Sequence, residues 1–234
     1  MDEPPRKRMV RPPRGGDGAR QPAQRLKTAK QRTPSSQAWL ERQLNDPFVA
    51  EAKARGYRSR AAFKLIELND KLRLIRRGMS VIDLGCAPGG WLQVLAERGA
   101  GRVVGVDLLA TDPVSGVEIL QGDFTDPAVA DRVFAQLGGA PDLVLSDMAP
   151  NTTGHRQTDH LRIVGLIETA TDFAVRTLKP GGVFVAKAFQ GGETAEVIAA
   201  LKRDFADVRT LKPKASRTES SEVYFVARGF RGGR

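Results

Sequence analysis

The sequence predicts an α/β protein: a mostly parallel seven-stranded sheet with helices on both faces and a C-terminal antiparallel hairpin. Three observations lead there. Short apolar runs recur at 80–84, 102–107, 117–120, 142–146 and 182–188, as strands buried on both faces do. Helical spacing of apolar residues fills most of the gaps, at about 89–98, 126–137 and 159–178, and strands separated by helices need crossovers that run them parallel. After another helical stretch at 193–204, two final strand-like runs, Phe205 to Lys212 and Glu222 to Ala227, are joined by a short polar segment alone, which reads as a hairpin.

Residues 1–36 stand apart. They carry ten basic and three acidic residues, a net +7 of the chain's +10. They hold almost no large apolar side chain, so they cannot bury enough surface to fold alone. A disordered basic arm is expected there, followed by one folded domain over 37–234. Within it, Gln37 to Leu44 suits a short helix, and Asp46-Pro47 supplies a cap and first helical position for a turn or two up to Ala54. Arg60 to Arg76 reads as a longer helix, with Ala62, Phe63, Leu65, Ile66, Leu68, Leu72 and Leu74 as its apolar residues.

Composition narrows the function. A chain of 234 residues, 41% hydrophobic, can bury one core. The net charge and a pI near 10.2 favour a polyanionic partner, nucleic acid first, because each cation placed at a phosphate releases condensed counterions. A single cysteine, Cys86, excludes an internal disulfide; its apolar neighbours suggest a packing thiol in a reducing, cytoplasmic setting. No apolar run reaches the length of a membrane helix and the amino terminus lacks a secretory core, so a cytoplasmic protein with no membrane partner is expected. His155 and His160 are the only histidines, which argues against a metal site or a Ser-His-Asp triad.

The most informative stretch is Val81-Ile82-Asp83-Leu84-Gly85-Cys86-Ala87-Pro88-Gly89-Gly90-Trp91, a buried strand running through a glycine-rich turn into a helix. Gly85, Gly89 and Gly90 let backbone approach a ligand closely, and the Ala-Pro pair restricts the turn. In a parallel sheet the ligand lies beyond the carboxyl ends of the strands, and three acids stand at those ends. Asp83 closes the first strand. Asp107 closes the second, 17 residues after Gly90, a spacing that suits an acceptor for a ribose diol. Asp123, followed by Phe124, closes the third; a carboxylate beside a ring suits an adenine amino group and its face. Both NAD and S-adenosylmethionine carry an adenosine. A dinucleotide site usually reads Gly-x-Gly-x-x-Gly, whereas this turn reads Gly85-Cys86-Ala87-Pro88-Gly89-Gly90, and no hydride-transfer constellation is visible. S-adenosylmethionine is the preferred cofactor.

Two further strand ends carry the chemistry. Leu143 to Asp147 runs into Met148-Ala149-Pro150-Asn151, and Val183-Phe184-Val185-Ala186-Lys187 ends in a lysine among apolar residues. Such a lysine is costly unless paired or neutral. Lys64, between Phe63 and Leu65, and Glu222, at the start of the last strand, would converge with Asp147 and Lys187 at one mouth of the sheet. The pattern Asp147-Met148-Ala149-Pro150 lacks the Asn/Asp-Pro-Pro-aromatic signature used on exocyclic amines.

From about Gly56 to Gly229 the chain closely resembles the FtsJ/RrmJ family, the RlmE-type 2'-O-ribose methyltransferases of large-subunit ribosomal RNA. The resemblance rests on Tyr57-Arg58-Ser59-Arg60-Ala61-Ala62-Phe63-Lys64-Leu65, the Asp83–Trp91 segment, Gln121-Gly122-Asp123-Phe124, Ser146-Asp147-Met148-Ala149-Pro150-Asn151, Lys187 and Ser221-Glu222-Val223-Tyr224. It implies a Rossmann-like S-adenosylmethionine-dependent methyltransferase fold for 37–234. It implies a catalytic tetrad at Lys64, Asp147, Lys187 and Glu222, and cofactor contacts at Gly89, Trp91, Asp107, Asp123 and Asp147. It also implies 2'-O-methylation of a uridine in 23S rRNA of the assembled or assembling large ribosomal subunit. Lys187 is then the expected base: burial and a neighbouring ammonium both disfavour the protonated form of a lysine. Asp147 would hold Lys187, and Glu222 would orient a lysine or the ribose. A monomer is expected. Methylation of tRNA or an mRNA cap, or a non-catalytic ribosome-assembly role, are the alternatives left open.

Overall fold

The computed structural model describes residues 37, 40–41, 43–149, 156–191 and 194–232, with backbone alone for 156–161. The basic arm 1–36, Pro150, Asn151 and the side chains of both histidines lie outside the described residues. The chain divides into two units, Met1–Ala50 and Glu51–Arg234. In the first, Asn45 closes a helical turn on the Glu41 carbonyl at 3.1 Å. Helix α1 (Pro47–Ala54) starts where Asp46 accepts from the Phe48 amide at 3.0 Å, the cap that the Asp-Pro pair implies.

The second unit carries a seven-stranded sheet: β1 (Val81–Leu84), β2 (Val103–Asp107), β3 (Glu118–Gln121), β4 (Leu143–Ser146), β5 (Val183–Phe189), β6 (Phe205–Leu211) and β7 (Glu222–Phe230). Their order is β3-β2-β1-β4-β5-β7-β6. The first five strands are parallel, and β7 runs antiparallel to both β5 and β6. The order reverses between β1 and β4, the switch point at which ligands of open α/β sheets bind. The C-terminal pair thus forms as expected, with β7, three residues longer than its apolar run suggests, filling the place beside β5.

Alternation along the strands divides the core. Ile82, Leu84, Val104, Val106, Val144, Phe184, Ala186 and Phe225 pack with α4 (Pro127–Leu137), α5 (Arg156–Thr177) and α6 (Thr194–Asp204). The other face is covered by α2 (Ala61–Leu72) and α3 (Gly90–Glu97). There a side chain at Gly105 would meet Leu92 of α3 at 3.0 Å, and Trp91 lies 5.9 Å from the Tyr224 ring. Helix α2 ends at Leu72, four residues before the Arg76 to which the helical reading carries it. The Asn69 carbonyl accepts from the Arg73 amide at 2.7 Å and its side chain accepts from the Ile75 amide at 2.8 Å. Arg73 turns left-handed at φ 52°, and Leu74 reaches the core from an irregular segment. Among the described residues no helix is long and apolar enough to cross a membrane.

Candidate active site

The glycine turn is bound to the strand beside it. The Gly85 and Cys86 amides donate to the Val106 carbonyl at 2.9 and 3.3 Å, and the Ala87 amide donates to Asp107 Oδ2 at 2.9 Å. Asp107 Oδ1 accepts from the Leu109 amide at 2.8 Å. Gly85 (φ 74°) has no room for a side chain, since a Cβ there would run into Met148 Cγ. Gly89 (φ 102°) precedes the first turn of α3. Arg58 fastens the assembly from outside: its guanidinium donates to the carbonyls of Pro88 (3.2 Å), Asp112 (2.6 Å) and Pro113 (2.7 Å).

Beyond the strand ends opens a cavity of about 750 Å³, walled by Gly85, Asp107, Leu109, Asp123, Phe124 and Asp147 among others. A volume of this order suits a nucleoside-sized ligand, and the donor set matches one. Asp107 uses one lone pair on each oxygen for the turn and retains others for a diol. Asp123 spends Oδ1 on the Thr125 amide and hydroxyl, and Oδ2 has no partner among the described residues. Phe124 is held edge-on against Phe173, centroids 5.5 Å apart at 88°. Leu108 and Leu109, each 67% exposed, offer apolar surface at the rim. These residues fit an adenosine-bearing cofactor.

Five sequence-predicted cofactor residues stand behind that wall. Trp91 is buried and donates from Nε1 to the Ala61 carbonyl at 2.8 Å. Pro88, Gly89 and Gly90 shape the turn, and a Cβ at Gly90 would lie 2.6 Å from Ser59 Oγ. Asp83 is 1% exposed and neither of its oxygens has a hydrogen-bond partner among the described residues. Burial, and then the Asp147 and Asp107 carboxylates, push the Asp83 carboxyl well above the usual range. Burial likewise pushes the Cys86 thiol up to about 12, in keeping with a packing role.

On the far side of Asp147 the four expected catalytic residues meet. Lys187 is 8% exposed; its Nζ donates to the Asp147 carbonyl at 2.5 Å and lies 3.2 Å from Asp147 Oδ1. Lys64 Nζ is 3.9 Å from the same oxygen and is gripped by both oxygens of Glu222 at 2.8 and 2.9 Å. Burial alone would raise the Asp147 carboxyl, but Lys187, then Lys64 and the Tyr224 hydroxyl hold it below the usual range. The two lysine side chains thus face one carboxylate, with a second carboxylate clamping the outer one. Among the described residues no group of three His, Cys, Asp or Glu side chains could hold a metal.

Three contributors escaped sequence reasoning. Tyr224 is fully buried and donates from its hydroxyl to Asp147 Oδ1 at 2.6 Å; burial, and then the Asp147 and Glu222 charges, raise that hydroxyl well above its ordinary value. Lys64 Nζ lies 5.7 Å from its ring centroid. The signal was available, because Glu222 and Tyr224 are two apart and share a strand face. Ser216 donates to Glu222 Oε1 at 2.7 Å, and Glu67 accepts from the Lys214 and Ala215 amides at 2.7 and 2.9 Å. Nothing local in the sequence marks Ser216 or Glu67, since both act through a loop folded back onto α2.

The description "FtsJ-like methyltransferase" belongs to the family model that matches residues 57–230. The ribosomal RNA large subunit methyltransferase E of Caulobacter sp. strain K31 is 67% identical over 225 residues, covering 96% of this chain and all of that one. The protein of the same name from Xanthobacter autotrophicus is 57% identical over 229 residues, covering 96% of this chain and 90% of its own. A crystal structure of a ribosomal RNA methyltransferase from Plasmodium falciparum, 33% identical, superimposes with a TM-score of 0.69 over 76% of this chain and all of that one.

Proposed function

The chain belongs to the FtsJ-like methyltransferase family, and from that premise we propose that it methylates the 2'-hydroxyl of a uridine ribose in 23S rRNA, using S-adenosylmethionine. The substrate is the assembled or assembling large ribosomal subunit in the cytoplasm, and the enzyme works as a monomer whose catalytic domain spans 37–234. Its basic segment 1–36 adds affinity for RNA. The observation that carries the reading is the Lys187–Asp147–Lys64–Glu222 array beside the cavity, with Asp147 facing both. The names of the relatives support the rRNA substrate.

S-adenosylmethionine, when bound, supplies an electrophilic methyl carbon on a sulfonium. Asp107, Asp123, Phe124 and the Gly85 turn hold its adenosine, while Asp83, Pro88, Gly89, Gly90 and Trp91 fix that turn from behind. A ribose hydroxyl is a weak nucleophile until its proton is taken. Lys187 takes it: the side chain is buried and held at two points by Asp147, which itself lines the cavity. Lys64, fixed by Glu222, presents a cation where the ribose and its phosphate enter, and Tyr224 keeps Asp147 turned toward both lysines. Placement of this kind supplies the near-attack geometry that transfer needs.

Lys187→Ala is expected to lower methyl transfer to purified large subunits by about 10² to 10⁴-fold, the usual contribution of a general base, with cofactor affinity by calorimetry unchanged. Undiminished transfer would remove Lys187 as base. Mapping ribose methylation in rRNA from cells with and without the protein identifies the nucleotide; no lost 2'-O-methyluridine would overturn the substrate.

A further inference from the structure

At the end of the sheet away from Lys187 there is a second cavity, about 390 Å³, lined by Arg73, Arg76, Gly181, Asp207, Arg228 and Gly229 among others. Its charge is unbalanced. Asp207 is already paired with Arg209 at 2.9 Å, whereas the guanidinium groups of Arg73, Arg76 and Arg228 have no hydrogen-bond or ion-pair partner among the described residues. Three such groups around one cavity, with Asp207, the only lining acid among the described residues, already paired with Arg209, form a receptor for anions.

Arg73 adds an independent sign. It is the only non-glycine residue with positive φ among those described, at 52°. It ends α2 in the left-handed conformation where glycine is the usual residue. An arginine there strains the backbone, and its exposed side chain makes no hydrogen bond or ion pair among the described residues that would offset the strain.

The two elements that carry the patch fix its distance from the reaction. Arg228 lies four residues along β7 from Tyr224, which pairs with Lys187, or about 13 Å at ~3.3 Å per residue. Arg73 follows Lys64 by nine residues along α2 and its cap, or about 13 Å at ~1.5 Å per residue. That span is roughly four nucleotide rises of a stacked strand at ~3.4 Å each.

We propose that Arg73, Arg76 and Arg228 form a phosphate-binding site for the RNA backbone a few nucleotides from the methylated ribose. The proposal rests on the RNA methyltransferase reading above. It assigns the patch a role in binding and none in the transfer step.

The test is the full chain carrying R73G, R76A and R228A together, titrated against a 23S rRNA transcript at several KCl concentrations. Each lost contact to a single strand lowers the slope of log K against log salt by ~0.7. The triple variant should therefore lose about 2 from the slope and about 50-fold in affinity at 0.15 M salt. Cofactor affinity and the rate at saturating RNA should match wild type. The three Arg→Lys changes should restore the slope. R73G alone should raise the melting temperature while weakening RNA binding; a lowered melting temperature would mark Arg73 as structural and overturn its part. An unchanged slope would overturn the proposal. So would weaker binding to assembled subunits with unchanged binding to naked transcript, which would transfer the patch to a protein partner. A wild-type protein that binds RNA with this slope but methylates no rRNA would defeat the functional reading and leave the phosphate site standing.

Discussion

Replacing Asp83 with Asn isolates the least comfortable group in the molecule. Asp83 sits in β1 between Gly105 and Leu145, 1% exposed, with no hydrogen-bond partner among the described residues on either oxygen. Its carboxyl is raised by burial first and by the Asp147 and Asp107 carboxylates second. The sign follows from linkage. Below about pH 4, near the unfolded value, both folded and unfolded chains hold the proton and no penalty exists. As pH rises the unfolded chain releases it and the folded one does not, so folding stability falls by about 1.4 kcal/mol per pH unit until the folded value is passed. Asn matches Asp in volume and does not titrate. The D83N variant should therefore gain on wild type by about 1.4 kcal/mol for each unit from roughly pH 4.5 upward. Urea unfolding of both proteins at half-unit pH steps measures the difference directly, since every other group titrates in parallel. Stability curves that stay parallel across pH 5 to 7 would show that Asp83 ionises normally in the fold and would refute the reasoning.

Tyr224→Phe removes the hydroxyl bond to Asp147, a buried bond to a charged acceptor worth about 1.5–3 kcal/mol. Because that bond helps to hold the Asp147 carboxyl down, its loss should also shift the acid limb of the pH–rate profile upward, and an unmoved limb would count against the role. Glu222→Gln removes the carboxylate that clamps Lys64 and leaves the 3.9 Å contact to Asp147 as its remaining ion pair. It should cost about 1–3 kcal/mol in stability and slow transfer, measured in single turnovers at saturating cofactor, without altering cofactor affinity. Arg58→Ala frees the Asp112–Pro113 backbone from the glycine turn; titration should show weaker cofactor binding and initial rates a higher KM for it, with kcat nearly unchanged. A drop in kcat alone would place Arg58 with the acceptor instead.

The residues proposed for the cofactor could be picked out in the sequence because they are contiguous or repeat a rule. Gly85 to Trp91 is one segment, and Asp107 and Asp123 recur at the ends of successive strands where a parallel sheet binds ligands. Where expectation and structure part, a tertiary choice intervened. The helical reading carries α2 on to Arg76, but Asn69 captures the Arg73 and Ile75 amides and stops it at Leu72. The place of β7 between β5 and β6 has no local signature, since hairpin residues alone do not say which strand of the pair meets the sheet.

The proposed acceptor half depends on register, which a single sequence does not contain. Ser146 pairs with Ala186, so Asp147 and Lys187 stand one step further along neighbouring strands. Lys187 in turn pairs with Tyr224. Asp147, Lys187 and Tyr224 therefore form a row across β4, β5 and β7. Lys64 reaches that row from α2, across 158 positions of sequence to Glu222. A slip of β7 by one residue would turn both Glu222 and Tyr224 to the opposite face, leaving Lys64 unclamped and Asp147 without its hydroxyl donor. The long β7, paired with β5 from Glu222 to Arg228 and with β6 from Tyr224 to Phe230, is what prevents that slip. The strand that looks like a structural afterthought in the sequence is the one that sets the alignment of the proposed catalytic row.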